Sequence, residues 1–328
     1  MGVDLRPILL RHEITLENLS GKVLAIDAFN QLYMYLAVIR QSDGAPLTDS
    51  KGNITSHLSG LFYRTLNLLE VNIKPVFVFD GKAPEEKFAI QKERAELREK
   101  AQKKYEEALA EEKLEEARKY AQQAVFLNKD VIVECKELLS AMGLPWVQAP
   151  AEGEAQAAAM ALKGDVWGVV SQDYDSLLFG TPRLIRNLTI SGKRRFNSKI
   201  IEIKPELIDL AECLNYLGID IEKLIEIGLL IGTDYNAGIL GIGPKTALKI
   251  VRENKFNEYL PNAERLKNLF LKPLVSLDYS LDWKKPNKEK IKEILVDTHD
   301  FSLERVEAAI KRLNELEKPK QTGLDAFV

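Results

Sequence analysis

The chain has 328 residues, 45% hydrophobic and 8% aromatic, enough for one large or two ordinary domains with an ample core. With 46 Lys and Arg against 49 Asp and Glu the net charge is −3, so bulk charge points to no polyanionic partner and only local segregation could. Two cysteines, Cys135 and Cys213, exclude a disulfide framework or a cysteine zinc cluster, and neither a signal-peptide pattern nor an apolar run of roughly 18 residues is present, so an intracellular, cytoplasmic protein with no membrane partner is expected.

In chain order, Val23-Leu24-Ala25-Ile26 reads as a buried strand and is followed by Asp27. A helical period covers 56–70, and Val76-Phe77-Val78-Phe79 is a second buried strand, closed by Asp80-Gly81. Residues 82–119 then hold 11 basic and 11 acidic side chains with almost no apolar stripe. The signs segregate: eight basic against five acidic over 82–104, three against six over 105–119. A solvated helix laced with ion pairs explains such a run in general. Leaving directly from a strand end, this one is placed to stand over the ligand crevice. A helix is expected over about 129–142, a strand over about 144–148, a helix over about 154–162 and a strand at 166–170. Strands alternating with helices indicate an α/β domain with a mainly parallel sheet. After Asp209 the pattern is helical, and the tail from 319 (PKQTGLDAFV) has no period.

The strand ends carry the chemistry. Asp27, Asp80, Asp173 and Asp175 all follow strands, where an open α/β sheet forms its crevice. In an extended segment Asp173 and Asp175 share one side, as do Glu152 and Glu154 in PAEGEAQ provided that stretch is still extended before its helix; on a helix those two would diverge by about 200°. Asp234 follows the apolar run IGLLIGT. One such acid is commonly a turn or capping residue, and a Glu near a helix start serves the macrodipole. Three strand ends with acids and no basic residue beside them to neutralise the charge are harder to explain that way, because packed carboxylates repel unless a cation intervenes. An all-oxygen donor set suits Mg²⁺ or Mn²⁺ and phosphodiester hydrolysis with two ions.

Gly241-Ile242-Gly243 precedes a helix that begins near Pro244, and Lys245 and Lys249 lie one turn apart on it. Pro244 interrupts the Gly-Lys-Ser/Thr core of a nucleotide-binding loop, so a nucleotide hydrolase is disfavoured. A lone GxG turn is commonly bland. Just after Asp234 it reads as a helix-hairpin-helix-like clamp on DNA backbone.

The order AIDAFNQLY, TSHLSGLFYRT, FVFDGKAPEEK, APAEGEAQAA, SQDYDSLLFG, GTDYNAGILGIGPK and QTGLDAFV resembles the flap endonuclease family over essentially the whole chain. The resemblance implies a central mixed, mainly parallel α/β sheet flanked by helices, a helical arch insertion, a helix-hairpin-helix-type DNA-binding element and a C-terminal helical region. Its nuclease domain would span 1–318, made of 1–81, an arch at 82–128, an internal region at 129–258 with the hairpin element at about 225–256, and helices at 259–318, before a sliding-clamp-binding tail at 319–328. It implies structure-specific 5′ flap cleavage, with accompanying 5′-to-3′ exonuclease activity, in Okazaki-fragment maturation and base excision repair. The product would be a 5′ phosphate at a ligatable nick. Asp27, Asp80, Glu152 and Glu154 would hold one Mg²⁺ and Asp173, Asp175 and Asp234 a second, with Mn²⁺ able to substitute. Lys87 and Arg94 match the family's catalytic lysine and arginine on the helix after the second strand. Tyr33 matches its stacking aromatic, and Gly2 lies near its active site. Gln321, Leu324 and Phe327 match the clamp-binding positions, and a monomer acting on flap or nicked DNA is expected. Two departures stand out: Ala237-Gly238-Ile239 replaces a longer Pro-Gly-Gly stretch, and Val328 follows Phe327 where a second aromatic is usual. A junction-cutting or exonucleolytic relative, and a non-catalytic DNA scaffold, are the alternatives; retention of all seven acids argues against the scaffold.

Overall fold

A computed structural model describes residues 3–41, 45–87, 129–190, 192–196 and 199–316, with 95–97, 99–101, 103–104 and 107 of the charged segment. Seven strands form one sheet: β1 (His12–Glu13), β2 (Val23–Asp27), β3 (Lys74–Phe79), β4 (Trp146–Gln148), β5 (Gly168–Val170), β6 (Arg183–Arg186) and β9 (Glu206–Asp209), in the order β1-β9-β6-β5-β2-β3-β4. Strands β4, β3, β2, β5 and β6 run parallel, and β9 and β1 close one edge antiparallel. A separate hairpin joins β7 (Gly192–Phe196) to β8 (Lys199–Ile203). The mainly parallel sheet is the one expected. The strand expected at 144–148 is confined to 146–148, because Gly143 turns the chain through positive φ and Leu144 N still bonds Leu139 O. Strands β6 to β9 carry no long β-branched run and were not anticipated.

Side-chain alternation along the central strands builds a core on each face. Leu24, Ile26, Phe77 and Phe79 pack with α1 (Ala28–Val38), α2 (Ser56–Glu70) and α3 (Lys129–Ala141). Ala25, Val76, Val78 and Val169 pack on the other face with α4 (Gly153–Lys163), whose Ala157, Met160 and Ala161 allow close approach. The short helix α5 (Asp175–Leu178) leads into a third core. There Leu177, Leu178 and Ile208 meet α6 (Leu210–Leu217), α7 (Ile221–Ile231), α8 (Pro244–Arg252), α9 (Phe256–Tyr259) and α10 (Glu264–Leu271). Helices α11 (Lys288–Lys292) and α12 (Leu303–Leu316) return to the first core.

The direction in which strands are added across the sheet reverses between β2 and β5. Successive crossovers run outward from β2 to β3 and β4, and the next returns past β2 to β5. This is a topological switch point, and its crevice lies beyond the carboxyl ends of those strands. Among the described residues no helix is long and apolar enough to cross a membrane.

Candidate metal centre

The acids expected at the strand ends meet in that crevice. Asp27 ends β2 and caps α1, accepting from Asn30 N at 3.0 Å. Asp80 follows β3, and its Oδ1 accepts from Gly153 N at 2.6 Å. Ser171, fully buried, joins three of the acidic segments: its hydroxyl lies 3.1 Å from Glu154 Oε1 and 3.4 Å from Asp27 Oδ2, and it accepts from Asp173 N at 3.2 Å. Asn30 donates to Asp173 Oδ2 at 3.1 Å. Asp175 Oδ1 accepts from Val3 N at 2.6 Å, so the N-terminal segment borders the site. Gly2 and Arg94 lie outside the described residues, as do Gln321, Leu324 and Phe327.

Two expectations need correction, and the open case of Glu152 and Glu154 is decided by the backbone. Glu152 and Glu154 do not share an extended face, because α4 begins at Gly153: Glu152 is the extended N-cap and Glu154 sits in the first turn. They therefore diverge, Glu152 toward Lys87 and Glu154 toward Ser171. Asp175 likewise opens a helix instead of continuing an extended run from Asp173. Finally, the cluster does have a basic neighbour, brought from the base of the charged segment. Lys87 closes a 3₁₀ turn (Glu85–Lys87), donates to Glu152, lies 3.4 Å from Asp234 Oδ2 and sits 5.3 Å from the centre of the Tyr235 ring. Glu86 beside it binds Arg265 of α10 at 2.5 Å.

Electrostatics follow from this crowding. Burial first, then repulsion from Asp80 and Asp173, pushes Asp27 up to about 8. Burial and Asp234 push Asp175 up to about 7, and burial with Asp27 and Asp175 raises Glu154 well above its ordinary range. Glu152 is raised by burial despite Lys87. Asp80 is raised for the same reason, though the residue stands exposed at the crevice mouth, where water offsets part of that penalty. Burial opposes the charge of Lys87, but Glu152 and Asp234 outweigh it and hold the ammonium above its usual value.

Among the described residues no three His, Cys, Asp or Glu side chains converge tightly enough to cage an ion as they stand. The donors are nonetheless all carboxylate oxygens that repel one another, Asp27, Glu152 and Asp175 among them buried, and an ammonium already lies between two of them. That chemistry fits hard divalent cations and not zinc.

On either side of Asp234, α7 and α8 pack against each other. Gly241 takes φ of +84°, which favours glycine, and Gly243 is the N-cap of α8 with Pro244 at its first position. Lys245 and Lys249 are exposed on that helix, Lys249 standing 4.0 Å from Glu253. Tyr33 is half-buried on α1 against the first core. Sequence reasoning missed Asn30 and Ser171; their adjacency to Asp27 and Asp173 in AIDAFN and SQDYD was the available signal.

Known proteins resemble this chain in sequence and in fold. Residues 1–101 match the XPG N-terminal domain and residues 143–234 the XPG I-region. Flap endonuclease 1 of Pyrococcus abyssi is 56% identical over all of this chain and 98% of its own length. The solved structure of flap endonuclease-1 from Methanococcus jannaschii superposes with a TM-score of 0.78 at 45% identity, covering 96% of this chain and 98% of that one. The catalytic core of Rad2 in complex with DNA substrate shares the fold, with a TM-score of 0.69 at 24% identity over 92% of this chain and 96% of that one.

Proposed function

The chain belongs to the flap endonuclease family, and from that premise we propose that it cleaves 5′ flaps at the junction of single- and double-stranded DNA, leaving a 5′ phosphate. The observation that carries this reading is the crevice of carboxylates at the switch point, with Lys87 held between Glu152 and Asp234. Nucleases of this family are metal-dependent. Here Asp27, Asp80, Glu152 and Glu154 would hold one Mg²⁺, and Asp173, Asp175 and Asp234 a second. Divalent cations bound there would supply Lewis acidity and charge neutralisation at a phosphodiester.

The remaining work falls to the chain itself. Asn30 and Ser171 orient Asp27, Glu154 and Asp173 through directed hydrogen bonds. Lys87 offsets carboxylate charge between Glu152 and Asp234, and with cations bound its ammonium would be free to donate to a phosphate oxygen. Arg94, from the same segment, adds a second donor. Tyr33 stacks on a base, and Gly2 is carried over from the family pattern as a residue that acts at the DNA.

The Gly241–Gly243 turn presents backbone amides to a phosphate, with Lys245 and Lys249 adding charge, so duplex is gripped without reading its sequence. The protein acts as an intracellular monomer on flap and nicked DNA. It is tethered to a sliding clamp through Gln321, Leu324 and Phe327, and works in Okazaki-fragment maturation and base excision repair. Its domain plan is a nuclease body over 1–318, with the arch at 82–128, and the tail at 319–328.

A cleavage assay on flap, nicked, blunt and four-way-junction DNA, with and without chelator, tests the reading. Flap DNA should be cut fastest, only with divalent cation present. Preferential resolution of the four-way junction, or cutting in chelator, would refute it.

A further inference from the structure

The sheet stops short of two of the acids. Ser171 N makes the last ladder-like bond, to Ile185 O, and α5 begins only at Asp175. Residues 172–174 thus lie outside both elements, and the placing of Asp173 and Asp175 depends on what grips this stretch. On one side Asn30 does so, accepting from Gln172 N and donating to Asp173, each at 3.1 Å.

Ser171 Oγ also accepts from Asp173 N at 3.2 Å, and a guanidinium adds a further grip. Arg186 ends β6 with a side chain 13% exposed. Its Nε donates to the Gln172 carbonyl at 3.1 Å, its Nη1 donates to the Tyr174 hydroxyl, and the guanidinium lies 4.2 Å from the centre of the Tyr174 ring. These contacts bracket Asp173 and end one residue before Asp175. The guanidinium is itself fixed. Strand register sets Arg186 opposite Glu206, whose Oε2 lies 3.4 Å from Nη1 while its Oε1 takes Arg11 at 3.0 Å.

We infer that Arg186 is a positioning residue for the cation-binding acids Asp173 and Asp175. A planar fork can donate to a carbonyl and a hydroxyl while lying against a ring; an ammonium is a point donor and cannot do all three. Losing a group that orients a ligand in this way typically lowers metal affinity by about 10–100-fold. The inference rests on the reading of these acids as metal ligands.

The test compares Arg186→Lys, Arg186→Ala and Tyr174→Phe with the wild type. Mn²⁺ binding is followed by electron paramagnetic resonance, which needs no turnover. Single-turnover flap cleavage is then measured across Mg²⁺ concentrations, and flap affinity in Ca²⁺. Both Arg186 variants should weaken Mn²⁺ binding and raise the Mg²⁺ requirement by about 10–100-fold. Tyr174→Phe should show a smaller part of that loss, and flap affinity should be unchanged. Should Arg186→Ala fail to fold, Arg186→Lys decides. Wild-type Mn²⁺ affinity in Arg186→Lys overturns the inference, even if its melting temperature falls. Lost flap affinity with intact Mn²⁺ binding also overturns it, and would make Arg186 a DNA contact. If the wild type binds no Mn²⁺ and needs no cation, the underlying metal reading fails, and the inference with it.

Discussion

The Lys87 ammonium stands 3.4 Å from Asp234 and also donates to Glu152, which is 65 positions away in sequence. Its charge therefore serves the carboxylates before any substrate arrives. Lys87→Ala should slow single-turnover cleavage by about 10²–10³-fold, as loss of a preorganised electrostatic donor does, while weakening flap binding much less. Thermal melting should also show the metal-free variant less stable than wild type and gaining more from added Mg²⁺. A rate loss merely proportional to lost affinity would reduce Lys87 to an ordinary DNA-binding cation.

Asp175 is buried and is pushed up to about 7 by burial and Asp234. Asp175→Asn keeps an oxygen to accept the Val3 amide but removes a repelled charge. The expected result is a higher melting temperature in chelator, with cleavage reduced roughly a thousandfold or more and flap binding largely kept. Near-normal cleavage at saturating Mg²⁺ would remove this acid from the mechanism.

Lys245 and Lys249 are exposed on the first turns of α8 and so are not committed to packing, which leaves them open to the phosphate contact proposed for them. Replacing each by Gln should weaken duplex binding uniformly across sequences and lower the salt slope by about 1 per lost contact. Binding titrations at several salt concentrations measure this. An unchanged slope would place the DNA elsewhere.

A buried polar network ties the 49–53 turn to α3 and to the segment after α11. His299 bonds Asp49 at 3.1 Å and Glu134 at 2.5 Å, and His57 reaches Glu134 at 3.2 Å. Burial works against ionisation of Asp49, but hydrogen bonds from Asn53, His299 and Lys51 outweigh it and hold the carboxyl at about 2. Burial likewise opposes Glu134, and bonds from His57 and His299 carry it below its ordinary value. A depressed acid contributes stability that is present above its unfolded pKa, about 4, and is lost as pH falls through its folded pKa. Stability should therefore decline from about pH 4 toward pH 2, and His299→Gln should flatten that decline. Denaturation at a series of pH values checks it; parallel curves for the two proteins would exclude the network from acid sensitivity.

Deleting 320–328 should leave unassisted flap cleavage intact and abolish stimulation by the sliding clamp. Gln321, Leu324 and Phe327 are spaced to form one anchor face, and tethering raises local concentration without altering chemistry. Paired assays with and without clamp decide: persistent stimulation would place the contact on the body, and lost basal activity would tie the tail to the fold.

The central strands could be read directly because their signal is local. Runs such as VLAID and PVFVFD are apolar on both faces and stop at an acid, which identifies both the strand and the lip of a crevice. The family pattern was legible for the same reason, since its motifs are short and contiguous. Strands β6, β9 and β1 were not, because RLIR, ELID and HE become strands only through partners set by the topology.

The same limit applies within the site. Seven acids could be named in the sequence, but the backbone that aims them could not: one residue's difference in where α4 begins sends Glu152 to Lys87 and Glu154 to Ser171. Nor does any local pattern announce that Arg186 holds Tyr174, or that His299 reaches Asp49 across 250 positions. Periodicity reports which face of an element is buried. Hydrogen bonds between side chains far apart in sequence depend on crossovers and strand register, and exist only once the whole sheet has closed.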